Sequence, residues 1–355
     1  MALRSVRLQD FRCFHSVDLE LDSQITLIQG SNGSGKTSLL EAIFLLGRGR
    51  SFRSSRLDAV VKRGQPRLGV SGELESGALL INIRVEYLEG QTLAWIRGAS
   101  VTSLSELTAA FPVQAIDPSV HKLIEEGPAR RRRFLDWGVF HVEPNYVSAW
   151  QRFHRALRQR NAALRQSAST DDLDAWDEAF ASAAEAVDTA RSRYVDQSNP
   201  YLRAACADLL GLDISVRYAR GWPEGQPIRE TLARHRAIDV HRRTTTIGPQ
   251  RADLEIHLSG RVARDIVSRG QQKLLAASLI LGQLEFLGAK HELQSTLLLD
   301  DPAAELDASA IERFMNRVLE LGAQLVVTSL PAQLLELAQR ARVFHVEQGK
   351  IDRVL

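Results

Sequence analysis

The chain contains few cysteines, with only Cys13 and Cys206 in 355 residues. They lie far apart and without a Cys/His cluster, so neither a disulfide framework nor a zinc site is predicted. Long apolar runs are also absent, and none approaches the roughly 20 residues that a membrane span requires. The first residues show no apolar segment followed by a small-residue cleavage site, so we expect no export signal. These absences favour a cytoplasmic protein that spans no membrane.

Neither sign of charge is in large excess. The 45 lysines and arginines nearly balance the 43 aspartates and glutamates, which leaves a formal net charge of +2. This balance does not by itself indicate a nucleic-acid partner, so the distribution of charge along the chain has to decide. The sequence has no internal repeat, and its hydrophobic content of 44% is sufficient for a packed core.

Both ends of the chain have an α/β pattern. Alternating residues from Val17 to Leu21 and an apolar run from Ile25 to Ile28 predict two strands that lead to Gly30. A helix is predicted from Lys36 to Leu46, and the period-two pattern from Leu68 to Ile96 predicts an antiparallel sheet. The α/β pattern returns near the other end, where we predict a helix over 271–287, strands over 296–299 and 325–327, and a helix over 331–340.

The middle of the chain has helical spacing instead. Apolar residues recur three, four or seven positions apart from residue 146 to residue 164, and polar residues 167–170 separate this stretch from a second one. Two long helices packed as a hairpin are predicted. The order therefore predicts one domain made of residues 1–112 and 243–355, with an α-helical arm domain, residues 113–242, inserted between its halves.

A glycine-rich segment after the second predicted strand matches the P-loop spacing of Gly, four residues, Gly, Lys and Ser or Thr. Such a loop directs successive amides at a phosphate beside a helix N-terminus, which predicts ATP as ligand. Lys36 is predicted to contact the β- and γ-phosphates and Thr37 to bind Mg²⁺. The alternative, a turn that only caps a helix, does not require Lys and Thr after the last glycine. The predicted ATP-binding residues here are Gly30, Ser31, Asn32, Gly33, Ser34, Gly35, Lys36, Thr37 and Ser38.

Two carboxylates end the apolar strand predicted at residues 296–299. Asp300 is predicted to hold Mg²⁺, directly or through water, and Asp301 to act as general base on the attacking water. An apolar strand that ends in Asp is common in α/β folds, so this interpretation depends on the P-loop. Lys36 and Asp301 are the predicted catalytic residues.

Ser268 and Gly270 lie just before the helix predicted over residues 271–287, which Gln271 begins, about 30 residues before Asp300. They resemble the signature loop of ABC-type ATPases, in which two heads enclose two ATP molecules and each signature loop completes the partner's site. An ordinary serine-capped helix is the alternative. Residues 304–307 resemble the D-loop of the same ATPases. Thr328 and Ser329 stand in the place of the switch histidine of ABC transporters, which argues against a transporter.

Within the ABC-type ATPases the chain most resembles the RecF family, over essentially its whole length. The resemblance rests on four segments, and it implies that Arg12 lies near the nucleotide. Departures from the family pattern occur at Asp117–Ser119 and at Gln250, and no role is predicted for the loop around Asp117. The matching segments are Asp10–Arg12, Gly49–Arg53, Pro128–Asp136 and Gly248–Asp253.

The resemblance implies an α/β ABC-type ATPase head with mixed β-sheets and an inserted helical arm. It also implies a weak, DNA-stimulated ATPase that uses ATP and Mg²⁺ and acts in recombinational repair and replication. ATP would close a homodimer on single-stranded, duplex or junction DNA, and slow hydrolysis would reopen it. RecR and RecO are the implied partners, and loading of the recombinase RecA is the implied outcome.

Basic residues concentrate in the first helix of the arm, which has no acidic residue between 151 and 170. Such a stripe fits a phosphate backbone, but acidic residues of the next helix are equally able to neutralise it. DNA contact and an internally neutralised arm therefore both remain open, here and for the arginines at 130–133. The candidate DNA-binding residues are Arg131, Arg132, Arg152, Arg155 and Arg158.

Parts of the sequence are also compatible with two other functions. A P-loop kinase or metabolic phosphotransferase would use the arm as a substrate domain, but it needs neither a signature loop nor a D-loop. A structural head of the SMC type would require coiled-coil arms hundreds of residues long, and about 130 residues lie between the halves here.

Overall fold

The structure is a computed structural model that describes residues 2–166, 170–302, 308–330 and 335–354. The chain divides into two compact units. Unit 1 comprises Met1–His121 and Arg269–Leu355, and unit 2 comprises Lys122–Ser268. These divisions lie later in the sequence than the predicted ones, which followed residues 112 and 242.

Strands and helices are numbered here in chain order. The strands are β1 Ala2–Phe11, β2 Phe14–Glu20, β3 Ile25–Gln29, β4 Arg67–Ser76, β5 Leu79–Leu88, β6 Gln91–Ile96, β7 Ala99–Ser100, β8 Val113–Ile116, β9 Ile214–Ala219, β10 Asp253–Leu258, β11 Arg261–Val262, β12 Thr296–Asp300, β13 Gln324–Ser329, β14 Arg342–Glu347 and β15 Lys350–Arg353. The helices are α1 Lys36–Arg48, α2 Leu104–Ala110, α3 Lys122–Glu125, α4 Pro128–Val142, α5 Tyr146–Arg165, α6 Thr170–Leu210, α7 Ile228–Arg242, α8 Arg269–His291, α9 Ala308–Glu320 and α10 Leu335–Ala338. Among the described residues, no helix is long and apolar enough to cross a membrane.

The first sheet of unit 1 has the order β2-β1-β4-β5-β6-β7, and every neighbouring pair is antiparallel. Buried and more exposed residues alternate along β4, as expected for a sheet with one covered face. The predicted antiparallel sheet over residues 68–96 is therefore confirmed.

The second sheet of unit 1 has the order β15-β14-β3-β13-β12-β8. Strands β14, β3, β13, β12 and β8 are parallel, and β15 is antiparallel to β14. All residues of β12 and β13 are buried, which fits central strands covered on both faces. Because β8 pairs with β12, residues 113–116 belong to this sheet and not to the arm as predicted.

Unit 2 contains the two long helices that the sequence predicts. Apolar residues of α5 and α6 meet in their interface, where the rings of Phe153 and Phe180 lie 5.6 Å apart. Unit 2 also contains the antiparallel sheet β11-β10-β9, which the prediction of a purely helical arm omitted. Since β10 pairs with β9, residues 253–258 belong to this unit rather than to the other.

Candidate nucleotide site and candidate nucleic-acid surface

The glycine-rich loop joins β3 to α1, so it lies at the carboxyl end of a central parallel strand and at a helix N-terminus. Gly35 has φ 119°, a conformation that non-glycine residues rarely adopt. An added Cβ at Gly30 would lie 2.3 Å from the Val346 carbonyl oxygen. Both glycines are therefore required by this path of the loop, which turns backbone amides toward the space an anion would fill.

Lys36 is the first residue of α1 and is only 7% exposed. Its Nζ donates to the carbonyl oxygens of Gly30 and Ser31, at 2.6 Å and 3.0 Å. Burial lowers the pKa of Lys36, although the charges of Asp301 and Asp300 oppose this shift. The ammonium group thus lies over the loop and has neutral carbonyls as its hydrogen-bond partners, which makes it available to an anionic ligand.

Asp300 ends β12, and its carboxylate meets hydroxyls from two neighbouring segments. The Thr37 Oγ1 and the Thr328 Oγ1 donate to Asp300 Oδ1, at 2.9 Å and 2.8 Å. Parallel pairing of β12, β13 and β3 brings these residues to one edge of the sheet. A carboxylate beside a threonine hydroxyl is a donor set that suits Mg²⁺, which prefers oxygen ligands.

Asp301 follows in an unusual backbone conformation with φ 49°. Its amide donates to Thr328 Oγ1 at 3.0 Å, so Thr328 fixes the Asp300 carboxylate and the backbone of Asp301. Burial raises the pKa of Asp301, the charge of Asp300 raises it further, and Lys36 opposes the shift. A carboxylate with a raised pKa is a better proton acceptor than an ordinary one, which suits a general base.

Three buried side-chain oxygens without hydrogen-bond partners belong to described residues at this edge. Within the described part of the chain, Ser34 Oγ, Asp301 Oδ1 and Ser329 Oγ are buried and have no hydrogen-bond partner. Buried polar atoms are usually paired, so unpaired ones need an explanation such as an absent ion or ligand. Phosphate oxygens, a magnesium ion and its water would supply the missing partners, so the residues present fit Mg²⁺-ATP.

Arg12 is held by a buried carboxylate of α1. Its Nε and Nη2 donate to the two oxygens of Glu41, at 2.9 Å and 2.8 Å, and its Nη1 donates to the Ala59 carbonyl at 2.8 Å. Glu41 is fully buried and also accepts from the Ser51 hydroxyl. The two segments matched around Arg12 and Ser51 therefore meet at one residue of the phosphate-loop helix.

Two functional features of this site were missed by sequence reasoning. Glu41 lies inside the helix that follows the loop, and only its charge in an apolar stretch, LLEAIF, could have indicated a buried partner for a cation. The sequence shows Thr328 and Ser329 in the place of a histidine, but it does not predict the hydrogen bonds of Thr328 with the Asp300 carboxylate and the Asp301 amide. Neither role is visible without knowing which strands are neighbours.

The predicted signature residues lie at the start of α8. Ser268, Gly270 and Gln271 are exposed, and a Cβ added at Gly270 would meet nothing within 4 Å. This surface has room for an approaching ligand or protein. The predicted D-loop, residues 304–307, lies outside the described residues.

The arginine stripe consists of Arg152, Arg155 and Arg158, which follow one another at intervals of three along α5 and are exposed. Arg152 donates to the Ser148 hydroxyl at 3.4 Å. Among the described residues, none of the three forms an ion pair. Their charges are therefore available to an external anion.

Several acidic residues of α6 have other partners. Asp177 binds Arg160 and Arg236, and Asp188 binds Arg220. Of the α5 arginines, Arg160 is the one that an acid of α6 neutralises among the residues described. Internal neutralisation therefore holds for Arg160, and within the described part of the chain no acid forms an ion pair with the stripe.

The structure corrects the DNA-contact prediction for Arg131 and Arg132. Arg131 is 8% exposed and forms a bidentate pair with Asp253, at 2.7 Å and 2.8 Å. Arg132 is half-buried and donates to the Ala252 carbonyl at 2.7 Å, and burial lowers its pKa. Arg131 joins α4 to the first residue of β10, and Arg132 joins α4 to the residue before it, so both make these contacts within unit 2.

Comparison with known proteins agrees with this geometry. The family described as the RecF/RecN/SMC N terminal domain matches residues 2–352. The DNA replication and repair protein RecF of Pseudomonas putida is 38% identical to the chain, over 99% of this chain and 98% of that protein. The RecF protein of Vibrio parahaemolyticus is 37% identical, and the match covers 99% of both chains.

Solved structures show the same similarity. The recombination mediator protein RecF with ATP, of the RecFOR pathway, has a TM-score of 0.89 and 26% identity, covering 100% of this chain and 98% of that one. An Smc head bound to the C-winged helix domain of ScpA has a TM-score of 0.61 at 16% identity, covering 100% and 97%, and supports the fold alone. The predicted α/β fold of an ABC-type ATPase head is confirmed, and the chain belongs to the RecF family of DNA replication and repair proteins.

Proposed function

We propose that this chain is an ATP-dependent DNA-binding protein of recombinational repair and replication in the cytoplasm. ATP closes two copies head to head on gapped DNA or on single-strand/double-strand junctions, and slow hydrolysis releases them. The observation that carries the proposal is the group of unpartnered buried atoms around the phosphate loop, Ser34 Oγ and Asp301 Oδ1 together with Ser329 Oγ. Phosphate oxygens of a bound nucleotide and the attacking water would serve as hydrogen-bond partners for these atoms.

ATP binding begins at the loop from Gly30 to Ser38. Loop amides and Lys36 hold the β- and γ-phosphates, because Lys36 exchanges its two carbonyl partners for charged oxygens. Thr37 and Asp300 are the proposed holders of Mg²⁺, which would neutralise phosphate charge when bound. Arg12, which Glu41 of the phosphate-loop helix fixes, is a further proposed contact to the nucleotide, because it keeps N–H donors that its three hydrogen bonds do not use.

Hydrolysis depends on Asp301. Its buried Oδ1 has no hydrogen-bond partner among the described residues, and its pKa is raised by burial. The carboxylate accepts the proton of the attacking water, and Thr328 keeps it in position through the backbone amide. The reaction is slow, yields ADP and phosphate, and is stimulated by DNA.

Dimer closure uses the exposed start of α8. Ser268, Gly270 and Gln271 present a hydroxyl, a backbone amide and a side-chain amide on an open surface. These groups of one copy bind the γ-phosphate held by the other copy. Loss of that phosphate removes the ligand that joins the copies, which is why hydrolysis acts as a timer.

DNA contact uses the arginine stripe of unit 2, whose three cations have no carboxylate partner among the described residues. Cations in a row bind successive phosphates and release counterions, without reading a sequence. RecR and RecO are the proposed protein partners, and loading of RecA is the proposed outcome. Support for these partners comes from family membership and from the RecFOR pathway of the similar structure.

The test measures DNA binding without nucleotide, with ADP and with a non-hydrolysable ATP analogue, on single-stranded, duplex and gapped DNA. Tight binding only with the analogue supports the proposal. Lys36→Met should abolish both nucleotide binding and the nucleotide-dependent DNA binding. Absence of binding to every DNA at low salt, with nucleotide bound normally, would favour a metabolic phosphotransferase instead.

The matched variant for closure is Ser268→Arg. It should bind nucleotide as a monomer and fail to dimerise. The arginine side chain is larger than serine and charged, so it would occupy the space in which Ser268 is proposed to contact the partner's γ-phosphate. An unchanged ATP-dependent dimer in light scattering would remove Ser268 from the interface.

A further inference from the structure

Two exposed arginines at the end of α7 take no part in the surfaces described above. Arg242 is the last residue of α7, and Arg243 follows it as the C-cap. Among the described residues, neither forms an ion pair. Earlier on the same helix, Arg229 and Arg236 both pair with carboxylates of α6. The charges of Arg242 and Arg243 are therefore available to a ligand.

Arg243 also has an unfavourable backbone conformation, with φ 51° and ψ 34°. Glycine is the residue that usually ends a helix in this left-handed conformation, because a Cβ is poorly tolerated there. A cation in the last turn complements the helix dipole, which accounts for Arg242 but not for a large side chain at this cap. Residues kept in such conformations concentrate at functional sites, which gives a reason for the arginine.

The segment that follows α7 attaches to α5, the helix of the arginine stripe. The amide and the hydroxyl of Thr245 both donate to Asn161 Oδ1, at 2.8 Å each. Asn161 lies three residues after Arg158 and four before Arg165, so these three share one face of α5. Arg243 is two residues from Thr245, which keeps their Cα atoms within about 7.6 Å. The end of α7 therefore borders the face of α5 that carries arginines.

Cations without carboxylate partners thus meet on this part of unit 2. Arg165 is exposed like Arg158, and neither forms an ion pair among the described residues. Like charges that lie near one another repel, and a polyanion that binds them removes this repulsion. Arginines grouped on one surface are the electrostatic footprint of a site for a phosphate backbone.

We propose that the end of α7, Arg242 and Arg243, binds DNA phosphates and extends the arginine stripe onto a second element. The inference rests on the proposed function, in which the stripe binds DNA, and it adds two contacts. The phosphate backbone is common to duplex and single-stranded DNA. Helix α7 contains no phenylalanine, tyrosine or tryptophan on which an unpaired base could stack, so the contact uses charge alone.

The experiment compares Arg242→Ala/Arg243→Ala with the wild type, as full chains with a non-hydrolysable ATP analogue. DNA affinity is measured over a range of salt concentrations, on a duplex and on a single strand of equal length, each in two base sequences. The matched control, Arg203→Ala/Arg229→Ala, removes two exposed arginines of unit 2 that have carboxylate partners. Two further variants are Arg242→Lys/Arg243→Lys, which keeps the charge, and Arg243→Gly.

We expect Arg242→Ala/Arg243→Ala to reduce the slope of log affinity against log salt by up to about 1.8 on the duplex and about 1.4 on the single strand, at roughly 0.9 and 0.7 per phosphate contact. The reduction should be the same for both base sequences. The control and the lysine variant should keep the slope of the wild type. Arg243→Gly should show about half of the reduction and a higher melting temperature without DNA, because glycine tolerates the left-handed conformation.

An unchanged slope in Arg242→Ala/Arg243→Ala would overturn the inference, and so would an equal reduction in the control. A reduced slope in the lysine variant would also contradict it, since charge alone should be sufficient. These outcomes leave the proposed function intact when the wild type still binds DNA with the analogue. A wild type that binds no DNA with the analogue overturns both the proposed function and the role of α7.

Discussion

Lys36 in unit 1 and Arg160 in unit 2 are both buried cations, but they have different partners. Lys36 donates to two backbone carbonyls, while Arg160 binds the carboxylates of Asp177 and Asp239, at 2.6 Å and 2.7 Å. Arg160 also donates to the Thr245 hydroxyl. Arg160 therefore forms ion pairs within the protein, whereas Lys36 has no carboxylate within ion-pair distance among the described residues.

Other charged side chains of the two units differ in the same way. Beside Lys36, the Oδ1 of Asp301 has no hydrogen-bond partner among the described residues. In unit 2, Arg191 binds Asp136 and the Pro249 carbonyl, and Tyr146 donates to the same carboxylate. Cations with internal carboxylates hold a unit together, and cations without them are available to ligands.

Removal of Asp239 should give the largest effect. Asp239→Ala leaves Arg160 buried beside a single carboxylate, and breaking such a pair costs about 3–5 kcal/mol of unfolding free energy. Chemical denaturation followed by tryptophan fluorescence measures it, since four of the five tryptophans, Trp137, Trp150, Trp176 and Trp222, belong to unit 2. Arg158→Ala is the exposed control and should change stability by less than about 0.5 kcal/mol. Similar values for the two variants would contradict the division.

Substitution of the two acids at the end of β12 should affect different steps, namely hydrolysis for Asp301 and Mg²⁺-dependent binding for Asp300. Asp301→Asn should bind ATP but hydrolyse it about 100-fold or more slowly, the typical contribution of a general base, and should accumulate as a closed dimer on DNA. Asp300→Asn should instead weaken Mg²⁺-dependent binding, because Asp300 is the proposed metal ligand. Nucleotide affinity, phosphate release and dimer fraction are measured for both. Normal hydrolysis by Asp301→Asn would refute the assignment.

The arginine stripe should control the salt dependence of DNA binding. Replacing Arg152, Arg155 and Arg158 by alanine should reduce the slope of log affinity against log salt by up to about 2.7, at roughly 0.9 per phosphate contact. The control replaces three exposed arginines of unit 2 that have carboxylate partners, Arg203, Arg217 and Arg229. If the two triple variants had equal slopes, arginines with and without a carboxylate partner would contribute equally to DNA binding, which would contradict the division.

The smallest effect is expected for His154, whose ring packs against that of Trp150 in a tilted arrangement with the centroids 3.9 Å apart. Burial lowers the pKa of His154 to about 4, with the charge of Asp136 opposing the shift and Arg191 and Arg158 adding to it. Between about pH 6.5 and pH 4 the unfolded state therefore binds the proton and the folded state does not. Stability should fall as the pH falls through this window.

The variant His154→Phe should reduce that loss of stability without affecting nucleotide binding. Unfolding free energies at pH 7 and pH 5 measure the difference between variant and wild type. The same pH dependence in both proteins would show that the pKa of His154 is not lowered in the folded state.

Sequence patterns determined the phosphate site in detail because its residues are adjacent. The spacing from Gly30 to Thr37 fixes a loop and a helix start, and the apolar run before Asp300 fixes a strand end. Local structure of this kind depends on neighbours along the chain. The structure places Thr37 and Asp300 2.9 Å apart, as the interpretation of the two motifs as one site requires.

Only the tertiary structure decided what the other charged residues do. Arg131 and Arg158 are both arginines in helices, and no local pattern states that the first meets Asp253, 122 positions away, while the second remains exposed. The same is true of Glu41 with Arg12 and of Ser329. Which side chain finds a partner depends on contacts between segments distant in sequence, because burial and pairing are set by packing rather than by periodicity.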